Sequence, residues 1–381
     1  MKRILIFSLA YYPKFVGGAE IAIKEITDRL GNDFEFDMIT LKFYSKSPRT
    51  EKIGNVNVYR VGFGTEKYFN KIFYVFLAFI KACSLNNKNN YNFSWAMMSY
   101  MGFPALFLKW VKKTPFILTL QEGDSIEHIK NRWRIKTVYF LYKKVFKNAM
   151  IIQTISNYLA DFARSMGYKG NIEIIPNGVD VARFMKRGAL IIENGKENTI
   201  LITTSRLVEK NAVGDIIEAL KYLPENVTLV IAGSGPLEKV LKLQVDSYNL
   251  QTRVSFLGYV PHKELPKYLH YSDIFIRPSL SEGMGNSFIE AMVAGIPVIA
   301  TPVGGIIDFI KDGETGLFCE VKNPKSIAQK VEKLIKDKES RDYIIKNAQK
   351  LAIEKYDWNL IAKNMKEKVF EKIKSSPTPP L

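Results

Sequence analysis

Two glutamates, Glu282 and Glu290, flank a glycine turn in the segment Pro278-Ser-Leu-Ser-Glu282-Gly283-Met284-Gly285-Asn286-Ser-Phe-Ile-Glu290-Ala-Met. Its pattern predicts strand, glycine loop, helix, strand. Gly283 and Gly285 let the backbone approach a ligand closely. A helix starting near Ser287 turns its unpaired N–H groups and the positive end of its dipole toward that loop, an anion site suited to a pyrophosphate. Glu282 in the loop and Glu290 one turn into the helix then approach one ligand together, and carboxylates accept hydrogen bonds from sugar hydroxyls. The same residues allow a plainer account. Ser287-Phe-Ile-Glu290 also fits a capping box, in which Glu290 only caps its own helix.

A second cluster, Thr203-Thr-Ser-Arg206-Leu-Val-Glu-Lys210-Asn211, follows an apolar strand and precedes a helix. Ligands of open α/β sheets sit at the carboxyl ends of the strands. There Arg206 grips phosphate with a planar fork and Lys210 as a point charge; the alternative is two solvated cations at a helix start. A third cluster, Gly17-Gly18-Ala19-Glu20, is a glycine turn opening a helix, or a tight turn and nothing more. It lacks the G-x-G-x-x-G spacing, so a nicotinamide cofactor is not indicated. Gly233-Ser-Gly235-Pro236 reads mostly as structure, with Pro236 suited to a first helical position.

The elements that position these clusters alternate. Apolar strands are expected at 3–9, 36–41, 56–61, 93–99, 116–120, 150–154 and 172–175, with helices near 18–30, 68–85, 103–112, 131–147 and 157–166. Pro176-Asn177-Gly178 marks a turn, and polar residues 186–198 read as a linker. A second alternation follows, with strands at 199–204, 227–232, 254–257, 274–277 and 297–300 and helices near 212–222, 236–247, 262–270, 287–294 and 304–310. Helices near 324–336, 339–354 and 358–374 close the chain. The pattern predicts two α/β domains with parallel sheets, 1–185 and 199–357, a terminal helix 358–374, and a disordered tail 375–381.

Bulk properties bound the function. A chain of 381 residues exceeds one ordinary core. Two cysteines, Cys83 and Cys319, give neither a disulfide framework nor zinc spacing, so a reducing compartment is expected. Met1 to Ala10 imitates a signal peptide, but no small-residue cleavage site follows and a helical pattern opens instead. The longest apolar stretch, Ile72–Ile80, is far short of the roughly 20 residues a spanning helix needs, so no transmembrane segment is expected. The net charge is +17, and residues 65–150 alone hold 14 Lys and Arg against 4 Asp and Glu. That excess points to an anionic partner or to a solvated basic face. No nucleic-acid recognition motif accompanies it.

Taken together these motifs resemble glycosyltransferase family 4, a retaining group with the GT-B fold: two Rossmann-like domains with parallel sheets facing across a cleft. Glu282 and Glu290 match its E-x7-E signature, Arg206 and Lys210 its phosphate-binding cations, and Gly17-Gly18 its amino-terminal glycine turn. Asn177-Gly-Val-Asp180 and Phe256-Leu-Gly258-Tyr match in the right order. The resemblance implies a metal-independent transfer of a hexose-type sugar from a uridine- or guanosine-diphosphate sugar, with no cofactor. It implies that Glu290 accepts from ribose hydroxyls and Glu282 contacts the transferred sugar. Arg206 and Lys210 then stabilise the diphosphate, the amides of Gly283, Met284, Gly285 and Asn286 orient the sugar, and Gly258 lies near the base. The terminal helix is expected to cross back to the first domain. One departure stands out. Many members carry histidine where this chain has Gln121, and Gln cannot titrate. Glu122 or Asp124 is then expected to assist the acceptor. A sugar-nucleotide epimerase of the same fold is the alternative enzyme, although no acid/base pair is evident.

The basic region is interleaved with aromatics, at Tyr68–Lys81 and again at Lys130–Lys144. That mixture suits an anionic membrane surface, and family members often glycosylate lipid-linked acceptors. The expectation is a cytoplasmic enzyme, peripheral on the inner face of the cell membrane, acting on a lipid-linked sugar or a cell-surface glycan precursor. A soluble glycan is the alternative acceptor, with the aromatics buried and only the charges in water.

Overall fold

A computed structural model describes residues 1–127, 133–186 and 198–373, with the side chains of Trp133 and Arg134 outside the description. Most of the expected linker, the expected tail and the basic residues Lys130 and Arg132 therefore lie outside the described residues. The chain divides into two compact units. One comprises Met1–Glu122, Ile126–Asn177 and the segment from Trp358 onward; the other comprises Gly123–Ser125 and Gly178–Asp357.

The first unit is built on one sheet. Its strands are β1 (Lys2–Phe7), β2 (Phe34–Leu41), β3 (Thr50–Ile53), β4 (Val56–Val61), β5 (Phe93–Met97), β6 (Phe116–Leu120), β7 (Ile151–Thr154) and β8 (Asn171–Ile174). They lie in the order β3-β4-β2-β1-β5-β6-β7-β8. All neighbours are parallel except β3 and β4. The central strands are continuous apolar runs because both faces are covered; Ile4, Leu5, Ile6 and Phe7 are fully buried. β3 was not among the expected strands. It is a polar edge strand, Thr50-Glu-Lys-Ile53, with no buried residue, so periodicity gives no signal.

The carboxyl-terminal segment closes this unit. Helix Trp358–Asn364 continues as a π-helical turn, Met365–Phe370. Its buried residues join the core that contains helix Gly18–Leu30 and the sheet. The Phe370 ring centroid lies 5.2 Å from that of Trp95, 5.5 Å from Phe34 and 5.7 Å from Phe93. Lys2 Nζ donates to the Ile373 carbonyl at 3.2 Å.

The second unit holds β9 (Thr199–Thr204), β10 (Val227–Ala232), β11 (Val254–Gly258), β12 (Ile274–Arg277), β13 (Val298–Ala300) and β14 (Leu317–Phe318). They form an all-parallel sheet in the order β11-β10-β9-β12-β13-β14. Strand order reverses between β9 and β12, as it does between β1 and β5 in the first unit. Such a reversal leaves a crevice at the carboxyl ends of its two central strands.

The structure corrects several expectations. The first domain ends near Asn177 rather than Met185, because helix Val181–Met185 buries Phe184 in the second unit. The Phe184 ring centroid lies 5.5 Å from that of His262. The helix expected at 304–310 is a 3-10 turn, Gly304–Asp308. Helix Tyr68–Asn89 runs 22 residues and holds an 18-residue window of mean hydropathy 1.3, so by length and composition alone it is long and apolar enough to cross a membrane. The continuous run Ile72–Ile80 understated it, since scattered Asn, Ser and Lys interrupt the run without lowering the average far.

Candidate active site

The two clusters singled out from the sequence open at the carboxyl ends of β9 and β12, on either side of the reversal in the second unit. β12 ends at Arg277, and the loop Pro278–Gly285 carries Glu282. Glu282 is buried, and its Oε1 accepts the N–H of Gly283 at 3.1 Å. Its Oε2 pairs with the Arg277 guanidinium. Arg277 also donates to Ser287 Oγ at 2.9 Å and to Asn211 Oδ1 at 3.1 Å. Its Nε is buried with no protein partner among the described residues. Arg277 was not among the expected site residues. Its position as the last residue of a strand beside the reversal is the signal that would have found it.

Lys210 is tied to the same loop. The N–H of Leu280 donates to the Lys210 carbonyl at 2.7 Å, and Asn211 Nδ2 donates to the Arg206 carbonyl at 2.6 Å. Backbone and amide thus couple the cation loop to the glutamate loop. Lys210 Nζ donates to the carbonyl of Gly123 at 3.0 Å and stands 3.7 Å from Asp124 Oδ1. Ser281 Oγ donates to that same carbonyl at 3.1 Å. A Cβ on Gly123 would lie 2.6 Å from Lys210 Nζ and 3.4 Å from Glu282 Oε1, so only glycine passes between them without displacing the lysine. Arg206, at the end of the β9 loop, is exposed.

Glu290 is not the partner in a capping box. Helix Asn286–Val293 begins at Gly285, with φ +86°, which has no side chain to cap it, and the N–H of Phe288 donates to the Gly285 carbonyl at 3.1 Å. Ser287 is occupied by Arg277, and Glu290 Oε1 lies 2.8 Å from His262 Nε2. Glu290 is buried beneath that imidazole. His262 is a second residue the sequence reading did not assign, and its distance in sequence left no signal. Met284 is buried, and Asn286 opens the helix. Gly304 backs the loop. A Cβ there would meet the Glu282 carbonyl at 1.8 Å, and Gly305 N–H donates to that carbonyl at 3.1 Å. Gly258 ends β11 with φ +67°, its carbonyl accepting from Gly233 N–H at 2.8 Å.

Of the remaining expected residues, Gly17, Gly18, Gln121 and Glu122 belong to the first unit and Asp124 to the second. Gly17 caps helix Gly18–Leu30, and its N–H donates to Glu20 Oε2 at 2.9 Å. Burial raises the Glu20 pKa above the usual carboxylate value. Gln121 and Asn177 exchange side-chain amide hydrogen bonds at 3.0 and 3.1 Å. Glu122 is buried, and its two oxygens accept from the N–H groups of Ser99, at 2.6 Å, and Gln121, at 3.0 Å. Burial raises its pKa, although these bonds oppose the rise. Glu122 thus fastens its own loop, whereas Asp124 stands beside Lys210. Among the described residues no three His, Cys, Asp or Glu side chains converge as a metal site would require.

Residues 16–183 match the model of glycosyltransferase family 4, and residues 191–351 match the model of glycosyl transferases group 1. The two matches do not overlap, and together they span most of the chain. The chain belongs to glycosyltransferase family 4. An uncharacterized glycosyltransferase of Methanocaldococcus jannaschii is 28% identical to this family 4 enzyme over 95% of its chain and 96% of the relative. The GDP-mannose-dependent alpha-(1-6)-phosphatidylinositol monomannoside mannosyltransferase of Mycobacterium tuberculosis is 30% identical over 50% of the enzyme and 53% of that protein. The structure of Anabaena HepE in complex with UDP and glucose superposes with a TM-score of 0.79 at 20% identity, covering 97% of this glycosyltransferase and 100% of HepE. The fold is accordingly GT-B.

Proposed function

We propose that this glycosyltransferase moves a sugar from a nucleoside-diphosphate sugar to a glycan or lipid-linked acceptor, with retention and without a metal ion. One observation carries the reading. Lys210, distant in sequence from Glu282 and Glu290, is tied to the glutamate loop by hydrogen bonds at the strand reversal of one sheet, and helix Asn286–Val293, which carries Glu290, starts from that loop. The positive dipole end of helix Asn286–Val293 and the cations Arg206 and Lys210 suit a diphosphate. Glu290 accepts from ribose hydroxyls, with His262 fixing its rotamer, and Glu282 from the sugar. As the bond from the anomeric carbon to the diphosphate oxygen breaks, negative charge grows on the diphosphate, and the two cations stabilise it. HepE with UDP and the GDP-mannose-dependent relative support a nucleotide donor, and the phosphatidylinositol mannoside of the latter supports a lipid-linked acceptor.

A thermal-shift screen of uridine and guanosine diphosphate sugars tests the donor. A true donor at 100 times its Kd adds about 2.7 kcal/mol of stability. Glu290→Ala should weaken that donor by about one to two orders of magnitude, since a hydrogen bond to a charged acceptor is worth about 1.5–3 kcal/mol. Unchanged affinity in folded Glu290→Ala protein would end the assignment of Glu290 to the donor. EDTA should leave turnover largely intact, because the leaving-group charge falls to Arg206 and Lys210. Complete loss, restored by magnesium or manganese, would refute the metal-free mechanism.

A further inference from the structure

Helix Tyr68–Asn89 breaks the usual rule for a surface helix, in which one face is apolar and the other polar. Its inner face is conventional. Asn70, Tyr74, Val75, Ala78, Ala82, Leu85 and Asn86 are buried. Tyr74 donates to the carbonyls of Ser8 and Ile39, at 2.9 Å each, and Asn70 Nδ2 donates to the Lys42 carbonyl at 3.0 Å. These bonds peg the helix along the first unit's sheet, so it lies on the protein rather than crossing a bilayer. The outer face is the anomaly. Phe69, Ile72, Phe73, Phe76 and Ile80 are all exposed, the last two at 57% and 62%.

Neighbouring elements extend this face into one strip. The Phe63 ring meets Phe69 and Phe73 at 5.7 and 6.2 Å. Phe107 meets Phe76 at 6.4 Å and Trp110 at 5.8 Å. Lys144 Nζ sits 5.8 Å from the Trp110 ring and 4.5 Å from that of Phe140, itself 73% exposed. Monomeric soluble proteins rarely show so continuous an apolar surface, and such a surface marks an interaction site. Charge selects the partner. From Lys67 to Gln121 the sequence carries seven lysines and not one acidic residue. Two copies meeting through this strip would set like charges against each other. A bilayer with anionic headgroups satisfies both features, taking up the rings at the depth of the interface while the lysines reach the phosphates.

We propose that the aromatic strip centred on Phe73, Phe76 and Ile80 docks the enzyme on an anionic lipid surface. The inference concerns a face of the first unit and does not depend on the donor chemistry, so each can fail alone. Vesicle flotation is the test, using phosphatidylcholine alone or mixed in equal parts with phosphatidylglycerol. The wild-type protein should float with the mixed vesicles and far less with neutral ones, and added salt should weaken binding. A Phe73→Ser/Phe76→Ser/Ile80→Ser variant should lose at least about a hundredfold in partitioning, each buried side chain contributing about tenfold. Its melting temperature and nucleotide-sugar shift should match wild type, because the replaced side chains are exposed. In the otherwise unaltered chain, brominated lipid should quench fluorescence that Trp110→Phe removes. Three outcomes would overturn the proposal: no wild-type binding to the mixed vesicles, full binding by the folded triple variant, or a wild-type dimer that this variant dissociates.

Discussion

In Lys210→Ala enzyme, kcat should fall about 10²- to 10³-fold while KM for the donor changes little. The magnitude is that of removing one preorganised donor aimed at charge that develops in the transition state. Lys210 has the required setting. It is half-buried, and its ammonium is held by a neutral carbonyl, that of Gly123, together with a 3.7 Å contact to Asp124 that is too long and too exposed to neutralise it strongly. Its charge is therefore available to a leaving diphosphate, and the gain is larger at the transition state than in the ground state. Lys210→Arg should rescue poorly, because a planar guanidinium fork does not reproduce the compact ammonium that donates to the Gly123 carbonyl at 3.0 Å. Steady-state kinetics at saturating acceptor separate the cases. A raised KM with unchanged kcat would mean that Lys210 only binds the donor.

The second large effect is on stability. Arg277→Leu should destabilise the second unit by about 3–5 kcal/mol, since removing one member of a buried ion pair leaves the other charge uncompensated. Arg277 and Glu282 side chains are only 11% and 9% exposed. The substitution also strips Asn211 and Ser287 of their donor. For a domain of this size the loss corresponds to roughly 6–20 °C in melting temperature. Glu282→Leu introduced on top should recover much of it, because the orphaned carboxylate is then gone. Calorimetry of the two single variants and the double variant measures the coupling. Additive losses would show that Arg277 acts through packing on Phe288, 5.5 Å from its guanidinium carbon, rather than through Glu282.

The parallel strands were legible because buried βα units write themselves as short apolar runs. β4, β6, β9, β10 and β12 fall where the runs predict. β3 was not, since a polar edge strand has no buried face to mark it. The Gly54-Asn55 turn that folds it back onto β4, with Gly54 at φ +57°, was the available sign. Within the site, motif spacing pointed to Glu282, Glu290 and Lys210. It could not decide between a capping glutamate and a site glutamate at position 290, because both use the same spacing. The contact with His262, 28 positions away, shows only that the carboxylate is engaged elsewhere than in such a cap. Arg277 was read as the end of a strand, which it is, and its charge was overlooked for that reason. The close approach of Gly123 to Lys210 joins parts of the chain 87 positions apart, beyond the reach of any local pattern.

The route of the closing segment bears on how the chain folds as it is made. The first unit contains both the earliest and the latest residues of the described chain. Its core is therefore incomplete until Phe370 arrives to meet Phe34, Phe93 and Trp95. The second unit draws nearly all its residues from one continuous stretch, Gly178–Asp357. Emerging from the ribosome, the later unit is able to finish first, while the earlier one waits with an aromatic socket open to water. During that interval the nascent protein presents the kind of apolar surface on which chaperones act and aggregates begin.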